Sequence, residues 1–186
     1  MVRTAPAETP SSDTSAQRPV ASEALPCLPD LEHFVPLLNR QLGICRRNGR
    51  RLSALLIEAD PETGSGAGQL PHQRPLLLQA FGARLRSRVR ASDAVCRIGD
   101  QRFGVVLIGA GRPEADVVLK RLQQLLWGPY SIDGQRLSLT LHTGVAIHGE
   151  SGMTGLELTT AAAGALGLIL TDVPGRPRTA EAAVDF

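Results

Sequence analysis

The sequence has few aromatic residues and almost no lysine. Of its 186 residues, 3% are Phe, Trp or Tyr, and Lys120 is the one lysine among 20 basic residues. Few aromatic rings leave few platforms on which single-stranded bases can stack, so that mode of nucleic-acid binding is disfavoured. A basic set made almost entirely of arginine favours forked recognition of phosphate or carboxylate groups over point contacts by ammonium groups.

Cysteine is also scarce, and Cys27, Cys45 and Cys96 have no paired spacing. No apolar run near the N-terminus is long enough for a signal peptide or a membrane span. Together these absences predict free thiols in a reducing cytoplasm. The four histidines are not spaced as metal ligands with one another or with a cysteine, which argues against a structural zinc site.

The net charge of +2 gives no general reason to expect an acidic partner, whether nucleic acid or membrane. Two local basic groups keep nucleic-acid binding open as an alternative: residues 46–51, with four arginines, and residues 84–90, also with four. Binding through them would weaken strongly with added salt. A solvated basic face explains the same residues, and we favour it.

Enough apolar sequence is present, 42% of the residues, to build the core of one compact domain. Residues 1–24 are rich in Ala, Pro, Ser and Thr and predict a disordered tail, because they bury too little to offset the entropy of ordering. We expect the folded domain over residues 25–178 and a short C-terminal tail over 179–186.

Hydrophobic periodicity predicts helices interleaved with strands. A helix is expected from an N-cap at Asp30 to about Arg47, and a second over residues 76–90. The other expected elements are strands over 52–57, 93–98, 103–108 and 137–147, a loop over 61–75, a helix over 113–126, a turn at Asp133 and Gly134, and a helix to about residue 170. Strands 93–98 and 103–108, joined by a tight turn, predict a β-hairpin in an α+β domain.

The hairpin segment carries a family resemblance. The residues Arg97, Ile98, Gly99, Asp100, Gln101, Arg102 and Phe103 resemble the R-x-G-G-D/E-E-F signature of diguanylate cyclases, the GGDEF family. Four flanking segments agree: 25–30 is similar to the opening L-T-G-L-P-N, 55–60 to the strand ending in D-x-D, 143–146 to S-x-G-V-A, and 175–178 to the closing G-R-N-R. The resemblance implies a nucleotidyl-cyclase-like sheet of the ferredoxin or palm type, surrounded by helices, with an active-site-type hairpin.

The same resemblance implies that catalysis has been lost. In the family, two carboxylates hold the metals of a phosphoryl transferase. Glu58 stands at the first ligand position as a vestige, whereas Gln101 replaces the second ligand and Arg102 the following glutamate. Asp100 replaces a glycine and obstructs phosphate, and Asp172 replaces a lysine. We therefore expect no catalytic residue, no functional Mg²⁺ site and no cofactor.

The family's product-binding motif, R-x-x-D five residues before the hairpin signature, is present. Arg90 and Asp93 occupy it, and counting forward places Arg121 where the family adds a further arginine. A guanidinium group bonds a phosphate or the O6/N7 edge of guanine, and a carboxylate accepts the N1 and N2 hydrogens of guanine. The alternative is a surface ion pair between Arg90 and Asp93 with no ligand.

The sequence thus predicts a catalytically inactive GGDEF-type domain that binds cyclic di-GMP at Arg90, Asp93 and Arg121. The expected output is an unidentified protein effector, a second copy of the chain or another GGDEF-family protein, with no nucleic acid and no membrane as partner. One alternative is a pseudo-enzyme that regulates a partner by contact alone, without ligand. Another is a variant diguanylate cyclase in which Asp100 serves as a shifted metal ligand, which is disfavoured because a one-residue slip turns a strand side chain to the other face.

Overall fold

A computed structural model describes residues 25–61 and 72–168 of the chain. Its elements, in chain order, are β1 (Cys27–Leu28), α1 (Phe34–Arg47), β2 (Leu52–Pro61), α2 (Gln73–Ser87), β3 (Ala94–Ile98), β4 (Arg102–Ile108), α3 (Arg112–Leu126), β5 (Tyr130–Ile132), β6 (Gln135–Leu137), β7 (Leu139–Ile147) and α4 (Gly155–Ala165). The predicted α+β class is confirmed.

The centre of the fold is a five-stranded sheet in the order β1-β3-β4-β2-β7. β2 pairs antiparallel with both β4 and β7, so it lies inside the sheet. Leu55, Ile57 and Ala59 face one hydrophobic cluster, and Ala54 and Leu56 face the other. A strand covered on both faces has no polar side to present, which explains its nearly continuous apolar run.

Helices cover the two faces of the sheet. α2 contributes Leu77, Phe81 and Leu85 to one cluster, which also contains core residues of α3, and α1 and α4 supply the other. The Phe81 and Phe103 rings lie 4.7 Å apart between centroids, which ties α2 to the hairpin strand β4. These contacts fix the ends of β3 and β4, where the candidate sites lie.

A glycine allows one of these helices to pack closely. A Cβ atom at Gly144 in β7 would lie 1.9 Å from the carbonyl oxygen of Ala162 in α4. No side chain fits in that space, so α4 packs directly against the strand backbone. Gly144 is the glycine of the 143–146 segment noted in the sequence.

Several predicted boundaries were wrong. α1 begins at Phe34, and the residue before it is His33; Asp30 instead accepts a 3.1 Å hydrogen bond from the His33 N–H, closing the turn that precedes the helix. β2 runs beyond residue 57 to Pro61 because β7 pairs with its whole length. The helix expected over 76–90 spans Gln73–Ser87.

The predicted turn at Asp133 and Gly134 is confirmed, but it joins two short strands, β5 and β6, that the sequence did not reveal. The strand expected over 137–147 is divided between β6 and β7, and the last helix ends at Ala165. The expected tails at residues 1–24 and 179–186, the segment 175–178 and Asp172 lie outside the described residues, as does most of the expected loop over 61–75.

Candidate functional site

The β3–β4 hairpin ends in a three-residue loop. Ile98 pairs with Arg102, so the loop is Gly99, Asp100 and Gln101. Gly99 has a φ of +58°, a left-handed conformation that glycine adopts without steric cost. The Arg97 guanidinium donates to the Asp100 carbonyl oxygen through Nε at 3.2 Å and Nη2 at 2.5 Å, so the tip is held from within.

The hairpin is closed against β2 by polar side chains. Glu58 lies directly across from Arg102 in the β2–β4 register, and its Oε1 accepts hydrogen bonds from Arg102 Nε and Gln101 Nε2, both at 3.1 Å. The Gln101 oxygen in turn accepts from Arg74 at the start of α2. The Glu58 side chain is only 13% exposed, so these contacts supply the partners that a half-buried carboxylate needs.

This corner does not fit a divalent metal. Mg²⁺ binds through oxygen ligands and usually one or two carboxylates, but here Glu58 already pairs with the Arg102 cation. In the described ranges 25–61 and 72–168, no group of three or more His, Cys, Asp or Glu side chains is placed to hold a metal ion. The nearest remaining carboxylate on the strand, Asp60, faces His142 at 3.9 Å. Residues Glu58, Gln101 and Arg102 form a polar cluster joined by hydrogen bonds and one ion pair.

A second site lies at the other end of β3 and β4. The structure brings Arg90, Asp93 and Arg121 to one cleft of about 390 Å³, within the size range of small-molecule sites, roughly 300–1,000 Å³. The cleft is lined by Arg90, Asp93, Leu107, Ile108, Gly109, Ala110, Pro113, Glu114, Val117, Val118 and Arg121. The cleft lining therefore combines two arginines and two acidic residues with apolar residues of β4 and α3.

Asp93 is buried, at 6% exposure, and both of its carboxylate oxygens are engaged. Oδ2 accepts from the Arg90 N–H at 3.0 Å and Oδ1 from the Ile108 N–H at 3.1 Å. The Asp93 N–H donates to the Arg90 carbonyl oxygen at 3.1 Å, so the 90–93 turn is closed in both directions. The contact is between a carboxylate and backbone amides, and the surface ion pair considered from the sequence is not formed.

Two guanidinium groups hold the same loop from outside. Arg86 donates through Nη1 to the Asp93 carbonyl oxygen at 2.7 Å and through Nη2 to that of Ala91 at 3.3 Å. Arg121 donates to the Arg88 carbonyl oxygen at 2.9 Å. The exposed Arg90 guanidinium, by contrast, makes no hydrogen bond or ion pair within the described part of the chain. A fixed loop thus presents one cation toward the cleft.

Sequence analysis missed two residues of this site. Arg86 lies in a run of alternating arginines and was assigned to a solvated face, because nothing in the pattern distinguishes its fork of two carbonyl contacts. Glu114 lines the cleft but belongs to none of the family motifs. Its Oε2 accepts a hydrogen bond from the Gly111 N–H at 2.9 Å, as a helix-capping glutamate does. A glutamate three residues after a glycine at the start of a helix was the available signal.

The family model described as "Diguanylate cyclase, GGDEF domain" matches residues 75–168, just over half of the chain. This range includes the hairpin and every residue that lines the cleft. The chain belongs to the GGDEF domain family.

Solved GGDEF domains share the fold. A sensory box/GGDEF family protein from Caulobacter crescentus is 28% identical, with a TM-score of 0.63, over 73% of this chain and 88% of that one. The GGDEF domain of YfiN from Pseudomonas aeruginosa is 25% identical, with a TM-score of 0.62, over 75% of this chain and 88% of that one. The predicted nucleotidyl-cyclase-like fold is confirmed.

Curated relatives are much longer proteins. MucR of Pseudomonas aeruginosa, a bifunctional diguanylate cyclase/cyclic di-GMP phosphodiesterase, is 30% identical over 60% of this chain and 16% of its own length. NbdA of the same organism, a cyclic di-GMP phosphodiesterase, is 27% identical over 64% of this chain and 15% of its own length. The GGDEF chain thus spans less than a fifth of either relative. Within the described residues, no helix is long and apolar enough to cross a membrane.

Proposed function

We propose that this GGDEF domain is catalytically inactive and acts as a cyclic di-GMP receptor through the cleft formed by Arg90, Asp93 and Arg121. The observation that carries the proposal is that the three residues to which the family resemblance assigns product binding line one cleft. They come from the α2–β3 loop and from α3, and Arg90 and Arg121 are 31 positions apart. The fold thus brings together, in one cleft, residues that are far apart in the sequence.

The chemistry of the cleft suits a dianionic cyclic dinucleotide. Arg90 and Arg121 provide forked donors for phosphate oxygens or for the O6/N7 edge of guanine. Val117, which is 68% exposed, and Val118 provide an apolar wall against which a purine ring can pack. Asp93 holds the loop from which Arg90 extends, so the cation is placed before the ligand arrives and less ordering entropy is lost on binding.

Inactivity is proposed from the hairpin. A cyclase of this family needs negative charge at the corner that Glu58, Gln101 and Arg102 occupy, because metal ions there must be held against a nucleotide triphosphate. The Arg102 cation is paired with Glu58 at 3.1 Å, and Gln101 supplies a neutral amide. A positive charge at this position repels the metal, so we expect no Mg²⁺ site and no turnover of GTP.

Calorimetric titration with cyclic di-GMP at physiological salt tests the receptor function. Wild type is expected to bind, and Arg90→Ala and Arg121→Ala are expected to bind at least about tenfold more weakly, the effect of losing a charge-assisted contact. Arg40→Ala, at an exposed position of α1, is the matched control and should bind as wild type does. No binding by folded wild-type protein would refute the receptor function.

A second candidate function is regulation of a protein partner without ligand. The observation that favours it is the exposure of large apolar side chains, with Trp127 and Met153 each 54% exposed. Turnover of GTP with Mg²⁺ on the same preparation would instead support the variant-cyclase alternative. If neither binding nor turnover is seen, the partner-contact function is the one that remains.

A further inference from the structure

We infer that Glu114, at the start of α3, supplies the carboxylate that accepts the N1 and N2 hydrogens of guanine in the cleft. The inference rests on the proposed cyclic di-GMP site and assigns its base selectivity to a residue outside the R-x-x-D pattern. The sequence pattern gives this role to Asp93. The structure provides three reasons for preferring Glu114.

The first reason is that the Asp93 carboxylate is already occupied. It is buried, and each oxygen accepts a backbone N–H, from Arg90 and from Ile108. Turning either oxygen toward a ligand would leave a backbone donor without its partner, at a cost comparable to the gain from the new bond. Asp93 therefore acts as a positioning residue, which fixes the loop that carries Arg90.

The second reason is the location of Glu114. Its side chain is exposed and lines the same cleft as Arg90 and Arg121. One oxygen, Oε2, accepts from the Gly111 N–H at 2.9 Å, which anchors the carboxylate at the end of the helix. The other oxygen, Oε1, makes no hydrogen bond within the described residues. An anchored carboxylate with one open oxygen at the cleft is ready to accept hydrogen bonds from a ligand.

The third reason is chemical complementarity. Guanine presents N1–H and N2–H donors side by side, whereas adenine presents an acceptor at N1. A carboxylate has only acceptors when ionised, so it bonds the guanine edge and repels the adenine edge. Arg90 and Arg121 have only donors, so they can bond the O6/N7 edge of guanine but cannot accept its N1 and N2 hydrogens. Among the cleft-lining residues, Glu114 is the exposed side chain that can.

The sign of the mutational effect separates this role from general electrostatics. Cyclic di-GMP carries two negative phosphodiester groups, so removing a nearby carboxylate should strengthen its binding if Glu114 acts only through its charge. If Glu114 bonds guanine, its removal weakens binding instead. The two explanations therefore predict changes in opposite directions.

The experiment titrates cyclic di-GMP and cyclic di-AMP into wild type, Glu114→Gln and Asp116→Asn. Glutamine retains an oxygen for the Gly111 N–H and remains a competent capping residue, so the helix start is preserved. Asp116 is on the same helix but not among the cleft-lining residues, so its variant removes an equal charge without the contact. Thermal unfolding of each variant verifies that it is folded.

Wild type is expected to prefer cyclic di-GMP, and Glu114→Gln to bind it about tenfold or more weakly while gaining affinity for cyclic di-AMP, the effect of losing hydrogen bonding to a charged acceptor. Asp116→Asn should keep the wild-type preference. If wild type binds cyclic di-GMP and Glu114→Gln binds it equally or more tightly with unchanged preference, the inference is wrong and the proposed function stands. If wild type binds neither dinucleotide, both are wrong.

Discussion

Arg102 donates a hydrogen bond from Nε to the Glu58 Oε1 at 3.1 Å, across the β2–β4 pair in which the two residues lie directly opposite each other. The contact joins a cation to the carboxylate that the GGDEF resemblance identifies as a vestigial metal ligand. Because Glu58 is only 13% exposed, the arginine offsets a charge that is partly removed from water. The same arginine that would oppose metal binding at this corner therefore gives the Glu58 carboxylate a partner.

A charge reversal at this corner should create metal affinity. We expect wild type to show no Mn²⁺ binding by electron paramagnetic resonance, and the double variant Gln101→Asp/Arg102→Glu to bind Mn²⁺, since three carboxylates would then face one another. Without metal, the double variant should be less stable than wild type by about 1 kcal/mol, because like charges oppose each other across the strands.

Adding Glu58→Gln to the double variant is the control, and it should reduce Mn²⁺ binding by removing the third carboxylate. Mn²⁺ binding by wild type that is abolished by Glu58→Gln would contradict the proposal that this corner binds no metal.

Asp93→Asn should destabilise the fold. The amide keeps one acceptor oxygen but directs an NH₂ group at the backbone N–H of Arg90 or Ile108, leaving a buried donor unpaired at a cost of about 1–3 kcal/mol. Urea denaturation monitored by circular dichroism measures the loss. Asp100→Asn, at the exposed hairpin tip, is the matched control and should change stability by less than about 0.5 kcal/mol. Equal stability of the two variants would mean that the Asp93 contacts contribute little.

The sequence predicted the α+β class and the hairpin because their signals are local. Short apolar runs on both sides of a tight turn define β3 and β4, and the 3.6-residue period of Leu77, Phe81 and Leu85 defines α2. Boundaries were less accurate: Asp30 has the chemistry of an N-cap but serves the turn before the helix. Short strands such as β5 and β6 have too few residues for a periodic signal.

For the candidate cleft, the sequence predicted which residues lie there but not the contacts that their atoms make. The resemblance to the GGDEF family selected Arg90, Asp93 and Arg121, which the structure brings to one cleft. It did not reveal which atoms are occupied, because backbone partners such as the Ile108 N–H come from a strand 15 residues away in sequence. Arg86 was missed because its two carbonyl contacts depend on how the loop folds back on α2. Glu114 had a local capping signal, but its position at the cleft depends on how α3 packs.

Arg86→Ala should loosen the loop that carries Arg90. Its guanidinium bonds the carbonyl oxygens of Ala91 and Asp93, so the variant should accelerate hydrogen exchange over residues 88–93 and weaken cyclic di-GMP binding severalfold through lost positioning. Arg86→Lys should restore these properties only in part, because an ammonium group lacks the planar fork that reaches both oxygens. Arg88→Ala, which keeps the carbonyl bonded by Arg121, is the control; the same exchange rates in Arg86→Ala and Arg88→Ala would contradict this role.

The three cysteines should differ sharply in reactivity. Cys27 is exposed on β1, whereas Cys45 and Cys96 are buried, and burial raises the pKa of the Cys96 thiol to about 12. The thiolate is the reactive form, so iodoacetamide at pH 8 should label Cys27 within minutes and leave the other two unmodified until the protein is unfolded in urea.

The raised pKa of the Cys96 thiol in the folded state also makes stability depend on pH. The contribution of this thiol to the free energy of unfolding is complete below the unfolded pKa near 9 and is lost as pH rises toward 12. Mass spectrometry of the labelled peptides and denaturation at pH 8 and pH 10.5 measure both effects. Rapid native labelling of Cys96 would contradict the packing of β3 in the core, and Cys96→Ala would remove its share of the alkaline loss of stability while Cys27→Ala would not.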